Sequence, residues 1–270
     1  LRLNMPATSI RDLIVHDDDV AIATHGRGFW ILDDIEPLRQ LGGALNDVHL
    51  FKPQRAWRYR SNKNTDTPLP PDEPAAQNPP DGAIIDYSLA SRANDVVTLE
   101  IVDAAGNVVR RFASDDKPYE VKDENNVPWY WIRPPQILSG DAGMHRFVWD
   151  LHYTPLARSR PTFSIAATPH DTPPATFSPY VMPGTYSVRL TANGATMTQP
   201  LTVRMDPRVK TSTADLQQQF DLSMRIYTML NRIGDVEEAA PLRQLLETLQ
   251  EVDAAPTTQL IEAAETLLKK

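Results

Sequence analysis

The chain contains no cysteine among its 270 residues. This absence excludes disulfide bonds, thiolate zinc sites, iron–sulfur clusters and cysteine nucleophiles. It does not identify a cellular compartment, because a domain with a large enough core is stable without disulfides.

Positive charge is scarce relative to negative charge: 27 Lys and Arg against 35 Asp and Glu give a formal net charge of −8. A surface that binds nucleic acid through its phosphates needs clustered positive charge, so we expect no nucleic-acid partner. Long hydrophobic runs are also missing, and no stretch approaches the ~20 apolar residues of a membrane-spanning helix. We therefore expect no membrane span.

Glycine is scarce beside proline, with 11 glycines against 24 prolines. Proline interrupts helices and the middle of sheets, so this ratio disfavours a long helical bundle and favours short strands joined by proline-bounded loops. The length allows one large domain or two ordinary ones.

Three short apolar segments lie near the amino terminus, at 9–16, 20–24 and 29–32, with turns between them. They predict a three-stranded meander within residues 1–35. A sheet of this size does not bury both of its faces alone, so we expect it to pack against a sheet that lies upstream. The chain is accordingly expected to be the C-terminal part of a longer protein.

Residues 36–82 are predicted to be a connector and a proline-rich linker, and residues 83–208 alternate apolar and polar side chains over about seven short strands. This spacing is typical of an immunoglobulin-like or fibronectin-like β-sandwich. The alternation places one set of side chains inside the sandwich: Trp149, Tyr186, Val188 and Leu190, facing Leu99 and Ile101.

Residues 209–270 change to helical spacing and predict a helical hairpin or tail. Ser212 with Asp215 three residues later resembles a helix start, and Gly234 follows the last residue of the first apolar stripe. Thr258 is predicted to cap the last helix.

Two stretches carry a resemblance to a known family. Residues 3–13 lead to Ala-Thr-His-Gly-Arg-Gly-Phe-Trp-Ile-Leu-Asp-Asp at 23–34, and Pro-Gly-Thr-Tyr-Ser-Val-Arg-Leu at 183–190 is followed by residues 199–208. The chain resembles the C-terminal region of bacterial propeller proteins with Asp-box, or BNR (bacterial neuraminidase), repeats, which are labelled sortilin-like or glycosyl-hydrolase-like. The Asp-box is degenerate here, since Gly26 stands where Asp is commonest.

The resemblance implies a mainly β fold: a partial propeller blade, an immunoglobulin-like β-sandwich and a C-terminal α-helical appendage. It implies a secreted or periplasmic bacterial protein. In that protein this chain would be a non-catalytic accessory domain that braces the propeller or mediates assembly with the upstream propeller polypeptide or another protein chain. One alternative is the accessory part of a glycoside hydrolase whose catalytic carboxylates lie in the propeller. Another is a carbohydrate-binding module.

Four residues are candidates for ligand binding, with a structural alternative for each. His25 and Arg27 stand on a glycine-rich turn, where the alternative is a tight blade turn with no ligand. Trp129 and Trp131 would share one face of an extended strand and stack on a carbohydrate, or else form part of a core or domain interface. The acidic clusters lack the spacing of a calcium-binding loop, and we predict no catalytic residue, no metal site and no cofactor.

Overall fold

The computed structural model describes residues 5–42, 46–60, 80–118, 120, 127–156, 163, 172, 176–234 and 236–269. Within them the chain is mainly β, with strands in three sheets and a helical carboxy-terminal region. No helix in these ranges is both long enough and apolar enough to cross a membrane. Residues 61–79, which include most of the predicted proline-rich linker, lie outside the described ranges.

The three predicted amino-terminal strands are present as β1 (Ile10–His16), β2 (Asp19–Thr24) and β3 (Phe29–Leu32). They form an antiparallel sheet of their own in the order β1-β2-β3, called the amino-terminal sheet below. The first turn contains Asp17 with a φ of 51°. Asp tolerates this left-handed conformation because its short side chain bonds locally.

The segment predicted as a connector and linker contributes two short strands to the rest of the fold. A short helix, α1 (Glu36–Gln40), is followed by β4 (Val48–Leu50) and β5 (Ala56–Arg58). β4 pairs with a strand of one large sheet and β5 pairs in parallel with a strand of the other. These strands are only three residues long, so they are too short for their alternation to stand out in the sequence.

Two larger sheets pack face to face around one core. Besides β4 and β5, their strands are β6 (Ala83–Leu89), β7 (Thr98–Val102), β8 (Val108–Ala113), β9 (Gly143–Trp149), β10 (Gly184–Ala192) and β11 (Ala195–Met205). The five-stranded sheet has the order β5-β11-β10-β7-β8 and the three-stranded sheet has the order β4-β6-β9. Apart from the parallel β5–β11 pair, neighbouring strands run antiparallel.

All six side chains that were predicted to lie inside are buried in the core between these sheets. Leu99 and Ile101 do not face Val188 and Leu190 across that core, which corrects the prediction, because β7 and β10 are neighbouring strands of one sheet. Trp149 lies on the other sheet.

Trp149 is fully buried, and its indole N–H donates to the carbonyl of His152 at 3.0 Å. Its ring contacts Tyr186 edge to face, with ring centroids 5.9 Å apart. A buried indole needs such a partner, because an unpaired N–H costs free energy in an apolar environment.

Three longer helices complete the chain: α2 (Thr213–Ile233), α3 (Ala240–Glu251) and α4 (Thr258–Leu268). Ser212 caps α2 as predicted, accepting a hydrogen bond from the backbone N–H of Asp215. Gly234 ends this helix with a φ of 78°. The cap of α4 is Thr257 rather than the predicted Thr258. The three helices share a second apolar core: Leu222, Ile226, Leu230, Leu242, Leu246, Leu249 and Ala264.

Candidate functional site

His25 and Arg27 lie on the turn between β2 and β3, and both side chains are exposed. Gly26 and Gly28 beside them have φ angles of 75° and 70°, in the left-handed region that glycine adopts without strain. The indole N–H of Trp30 donates to the carbonyl of Arg27 at 2.9 Å and closes the turn locally. The glycines thus have a conformational role, and ligand binding by His25 and Arg27 stays a prediction.

Trp129 and Trp131 do not lie on an extended strand, which corrects the prediction of a shared face. Trp129–Trp131 is a single turn of 3-10 helix that follows Pro128. Residues two apart point in different directions on such a turn. Trp129 is 58% exposed, whereas Trp131 packs against a small buried cluster. The rings of Trp129 and Trp131 each stand nearly perpendicular to the Tyr130 ring between them.

The amino-terminal sheet is apolar on both of its faces. Directly opposed residues of an antiparallel pair share a face, so the register of the three strands assigns each side chain. One face carries Leu13, Val15, Val20, Ile22, Trp30 and Leu32. The other carries Ile14, Ala21, Ala23, Phe29 and Ile31, with Asp12 and the His16–Asp19 pair at its margins.

Much of this apolar surface is exposed in the chain alone. Phe29 is 84% exposed, Ile31 63%, Ile14 60% and Leu13 54%, so both faces are represented. Soluble monomers rarely expose contiguous apolar patches of this kind, and such patches commonly mark interaction surfaces. Alternating strands normally keep one polar face toward water, and this sheet has none. The amino-terminal sheet is therefore the strongest candidate for a functional surface.

One arginine connects the end of the amino-terminal sheet to the three-stranded sheet. Arg146 on β9 pairs with Asp86 on β6 through two hydrogen bonds of 3.0 Å. The same guanidinium donates to the backbone carbonyls of Asp33 at 2.8 Å and Asp34 at 3.0 Å, directly after β3. Sequence reasoning did not single out this residue, because its partners lie about 60 and 113 positions away in the chain.

The carboxyl group of Asp34 at this junction has a strongly raised pKa. Its side chain is nearly fully buried and accepts a hydrogen bond from the backbone N–H of Glu36 at 3.0 Å. Burial raises the pKa of Asp34 from 3.8 to about 6, against the lowering effects of the Glu36 N–H and of Arg146. Burial also raises the pKa of Asp33.

A cavity of about 280 Å³ lies at the first turn of the amino-terminal sheet. The turn residues Asp17, Asp18 and Asp19 line this cavity together with Arg55 and Trp57. Arg55 approaches the Asp17 carboxylate at 3.7 Å and lies over the Trp57 ring. The acidic turn is thus partly neutralised by a cation of the same chain.

Among the described residues, no three His, Asp or Glu side chains are grouped in a way that could hold a metal ion.

Comparisons of the chain with protein-family models, with curated proteins and with solved structures each found no match. The geometry of the chain itself is therefore the basis for the function proposed below.

Proposed function

We propose that this chain is a non-catalytic accessory region of a larger propeller protein, and that the amino-terminal sheet docks it on the propeller. The observation that carries this proposal is the presence of two exposed apolar faces on one small sheet. A surface of this kind gains free energy when both faces are removed from water.

A propeller blade is a sheet whose two faces are covered by the neighbouring sheets of a radial array. An amino-terminal sheet in that position would bury Leu13 and Trp30 on one side and Ile14 and Phe29 on the other. A sheet that packed on a single surface would need only one apolar face. The two-sided pattern therefore favours insertion between two sheets over stacking on one.

In this proposal the two larger sheets form an immunoglobulin-like module that follows the last blade. Their antiparallel pairing and common core support this assignment, and the parallel β5–β11 pair is a departure from it. Arg146 connects the module to the blade strands through the carbonyls of Asp33 and Asp34. The module would thus brace the propeller at its last blade, in an extracytoplasmic protein.

The absence of cysteine from the chain provides a direct test, because single cysteines can be introduced without background labelling. Leu13→Cys and Phe29→Cys report on opposite faces of the sheet, and Gln218→Cys on the exposed side of α2 is the control. Each variant is labelled with a maleimide in this chain and in the longer open reading frame that contains it, with labelling read at each site by mass spectrometry.

We expect both sheet positions to react in this chain and to become at least tenfold slower in the longer polypeptide, while the control stays reactive in both. Continued labelling of both faces in the longer polypeptide would contradict the proposal. Protection of only one face would indicate stacking on a single surface and would likewise exclude the blade position.

A further inference from the structure

We propose that the segment 33–36, which joins the amino-terminal sheet to the rest of the chain, is a pH-dependent switch. Asp34 holds the amino-terminal sheet against the three-stranded sheet when its carboxyl group is protonated, and releases it when the carboxyl group is ionised. The contacts concerned lie within this chain, so the switch does not depend on the proposed function. It adds a form of regulation, because the pH then sets how the two exposed faces of the sheet are presented.

The backbone directly after β3 is bonded to two sheets at once. The N–H of Asp34 donates to the carboxylate of Asp19 on β2 at 2.9 Å. The N–H of Ile35 donates to the carbonyl of Asp18 in the first turn at 2.7 Å. From the other side, Arg146 on β9 donates to two carbonyls of the same segment, at 2.8 and 3.0 Å. A change in this segment therefore acts directly on the connection between the sheets.

Few other contacts between described residues join the amino-terminal sheet to the rest of the chain. Its three strands pair only with one another. Arg39 on α1 reaches back to the first turn, where it pairs with Asp18. Arg55 approaches Asp17 at 3.7 Å, and both of these side chains are exposed. Exposed ion pairs contribute little free energy, so the bonds of the segment 33–36 provide much of the connection.

The carboxyl group of Asp34 lies inside this connection. Asp34 is 4% exposed, and among the described residues its carboxyl group has one hydrogen-bond partner, the N–H of Glu36 at 3.0 Å. The loss of hydration costs a charged carboxylate far more than a neutral carboxyl group, and a single N–H offsets little of that cost. Burial therefore favours the protonated form of Asp34.

The three-stranded sheet presents one anion and one cation toward Asp34. Asp86 on β6 raises the pKa of Asp34, and Arg146 on β9 lowers it. The guanidinium of Arg146 already forms two hydrogen bonds of 3.0 Å with the carboxylate of Asp86. This pair is close to neutral as a whole, so it leaves the cost of burying an ionised Asp34 largely in place.

The amino-terminal sheet and α1 surround Asp34 with more negative than positive charge. Asp18 raises the pKa of Asp34 further. Arg39, the cation of α1, is already bonded to two carboxylates. The titratable and charged side chains on this side are Asp18, Asp19, Asp33, Glu36 and Arg39. An ionised Asp34 thus adds negative charge to a group that is already acidic.

The direction of the switch follows from the pKa of Asp34. Burial and the neighbouring carboxylates raise this pKa from 3.8 to about 6. In the released form the carboxyl group regains water and its ordinary pKa, so the closed form binds the proton more tightly. The ratio of closed to released molecules should therefore fall roughly a hundredfold as the pH rises from about 4 to above 6, because each pKa unit is a factor of about ten.

Distances between pairs of spin labels test the switch, and labels can be placed at chosen sites because the chain has no cysteine. The reporting pair is Phe29→Cys on β3 with Met144→Cys on β9, both at exposed positions. The reference pair is Met144→Cys with Gln218→Cys on α2, which both lie outside the amino-terminal sheet. Double electron–electron resonance measures both pairs at pH 4.5 and at pH 7.5.

We expect the reporting pair to give one narrow distance at pH 4.5 and a second, broader population at pH 7.5, with the ratio of the two populations changing at least about tenfold. The reference pair should stay unchanged, which shows that the rest of the chain remains folded. An unchanged reporting pair, or a change in both pairs, would overturn the inference.

Asp34→Asn separates this carboxyl group from the other acidic groups of the segment. Its amide is neutral at both pH values and still accepts from the N–H of Glu36, so the reporting pair should stay narrow at pH 7.5. Asp12→Asn, at an exposed carboxylate on β1, should behave like the parent chain. A broad distance distribution in Asp34→Asn at either pH would overturn the inference and would leave the proposed function intact.

Discussion

At the scale of single residues, burial decides which side chains contribute most to the stability of the fold. Trp149 is fully buried between the two larger sheets, with its indole N–H paired. Arg189 lies on β10 between the buried Val188 and Leu190, and its side chain points to the outer face of the sheet. It pairs with Glu100 on the neighbouring strand at 2.8 Å and is 40% exposed. The two residues therefore provide a matched comparison of core and surface.

Truncation of Trp149 to Ala should lower the free energy of unfolding by about 3–5 kcal/mol, because burial is lost and a cavity remains. Arg189→Ala should cost about 1 kcal/mol or less, since exposed ion pairs contribute little. Urea denaturation midpoints of the two variants measure the difference. Equal midpoints would mean that the faces of these strands are assigned the wrong way round.

Asp34 predicts a pH dependence of stability. Its pKa is about 6 in the folded chain against an ordinary value of 3.8 for an exposed Asp, so the folded state holds the proton more tightly than the unfolded state. The free energy of unfolding should therefore fall as pH rises from about 4 to about 6, and this loss should persist above pH 6.

The variant Asp34→Asn isolates this contribution. Asparagine tolerates the φ of 57° at this position and its side-chain oxygen still accepts from the Glu36 N–H. The difference in unfolding free energy between pH 4.5 and pH 7.5 should be smaller in Asp34→Asn than in the parent chain. An exposed carboxylate variant, Asp12→Asn, is the control, and an identical pH dependence in Asp34→Asn and the parent would contradict the assignment.

At the scale of secondary-structure elements, a buried ionic cluster connects the helical region to the five-stranded sheet. Arg58 on β5 and Arg60 both donate to Asp253, which follows α3, and the Asp253 side chain is only 5% exposed. Both guanidinium groups also lie over the Tyr180 ring. Burial lowers the pKa of Arg58, and the nearby Asp253 carboxylate opposes that effect.

Removal of the shared carboxylate should detach the helical region. Asp253→Ala leaves the buried Arg58 without its anionic partner, and breaking a buried pair from one side costs roughly 3–5 kcal/mol. Glu265→Ala breaks the exposed Arg225–Glu265 pair between α2 and α4 and should leave the melting temperature nearly unchanged. Thermal melts of both variants measure the two effects. A smaller loss of melting temperature in Asp253→Ala than in Glu265→Ala would refute the proposal that Asp253 holds the helical region in place.

At the scale of the whole molecule, the main feature is that both faces of the amino-terminal sheet are exposed. Phe29 is 84% exposed, so it contributes little to the stability of this chain by itself. In the proposed function its side chain is part of the surface that docks on the propeller.

Phe29→Lys should therefore leave the free energy of unfolding of this chain within about 0.5 kcal/mol of the parent. If the chain is part of a larger propeller protein, as proposed, the same change in that protein would bury an unpaired charge, which is costly, and should lower the melting temperature clearly. The conservative variant Phe29→Leu is the control. A large destabilisation by Phe29→Lys in this chain alone would show that the faces are already covered.

Local patterns in the sequence determined much of the fold. The alternation around Trp149 and Val188 predicted the core, Ser212 and Gly234 bounded α2, and the turns of the amino-terminal sheet were readable from their Asp and Gly residues. These features depend on hydrogen bonds and periodicities within a few residues, so they are visible in a single stretch of chain.

Other features depended on contacts between distant residues, and only the tertiary structure decided them. β4 and β5 are too short to show a period, and they become strands because neighbouring strands offer them a free edge. The turn at Trp129 follows from its local hydrogen bonds rather than from strand alternation. The Arg58–Asp253 pair joins residues 195 positions apart, and no local pattern specifies such a partner.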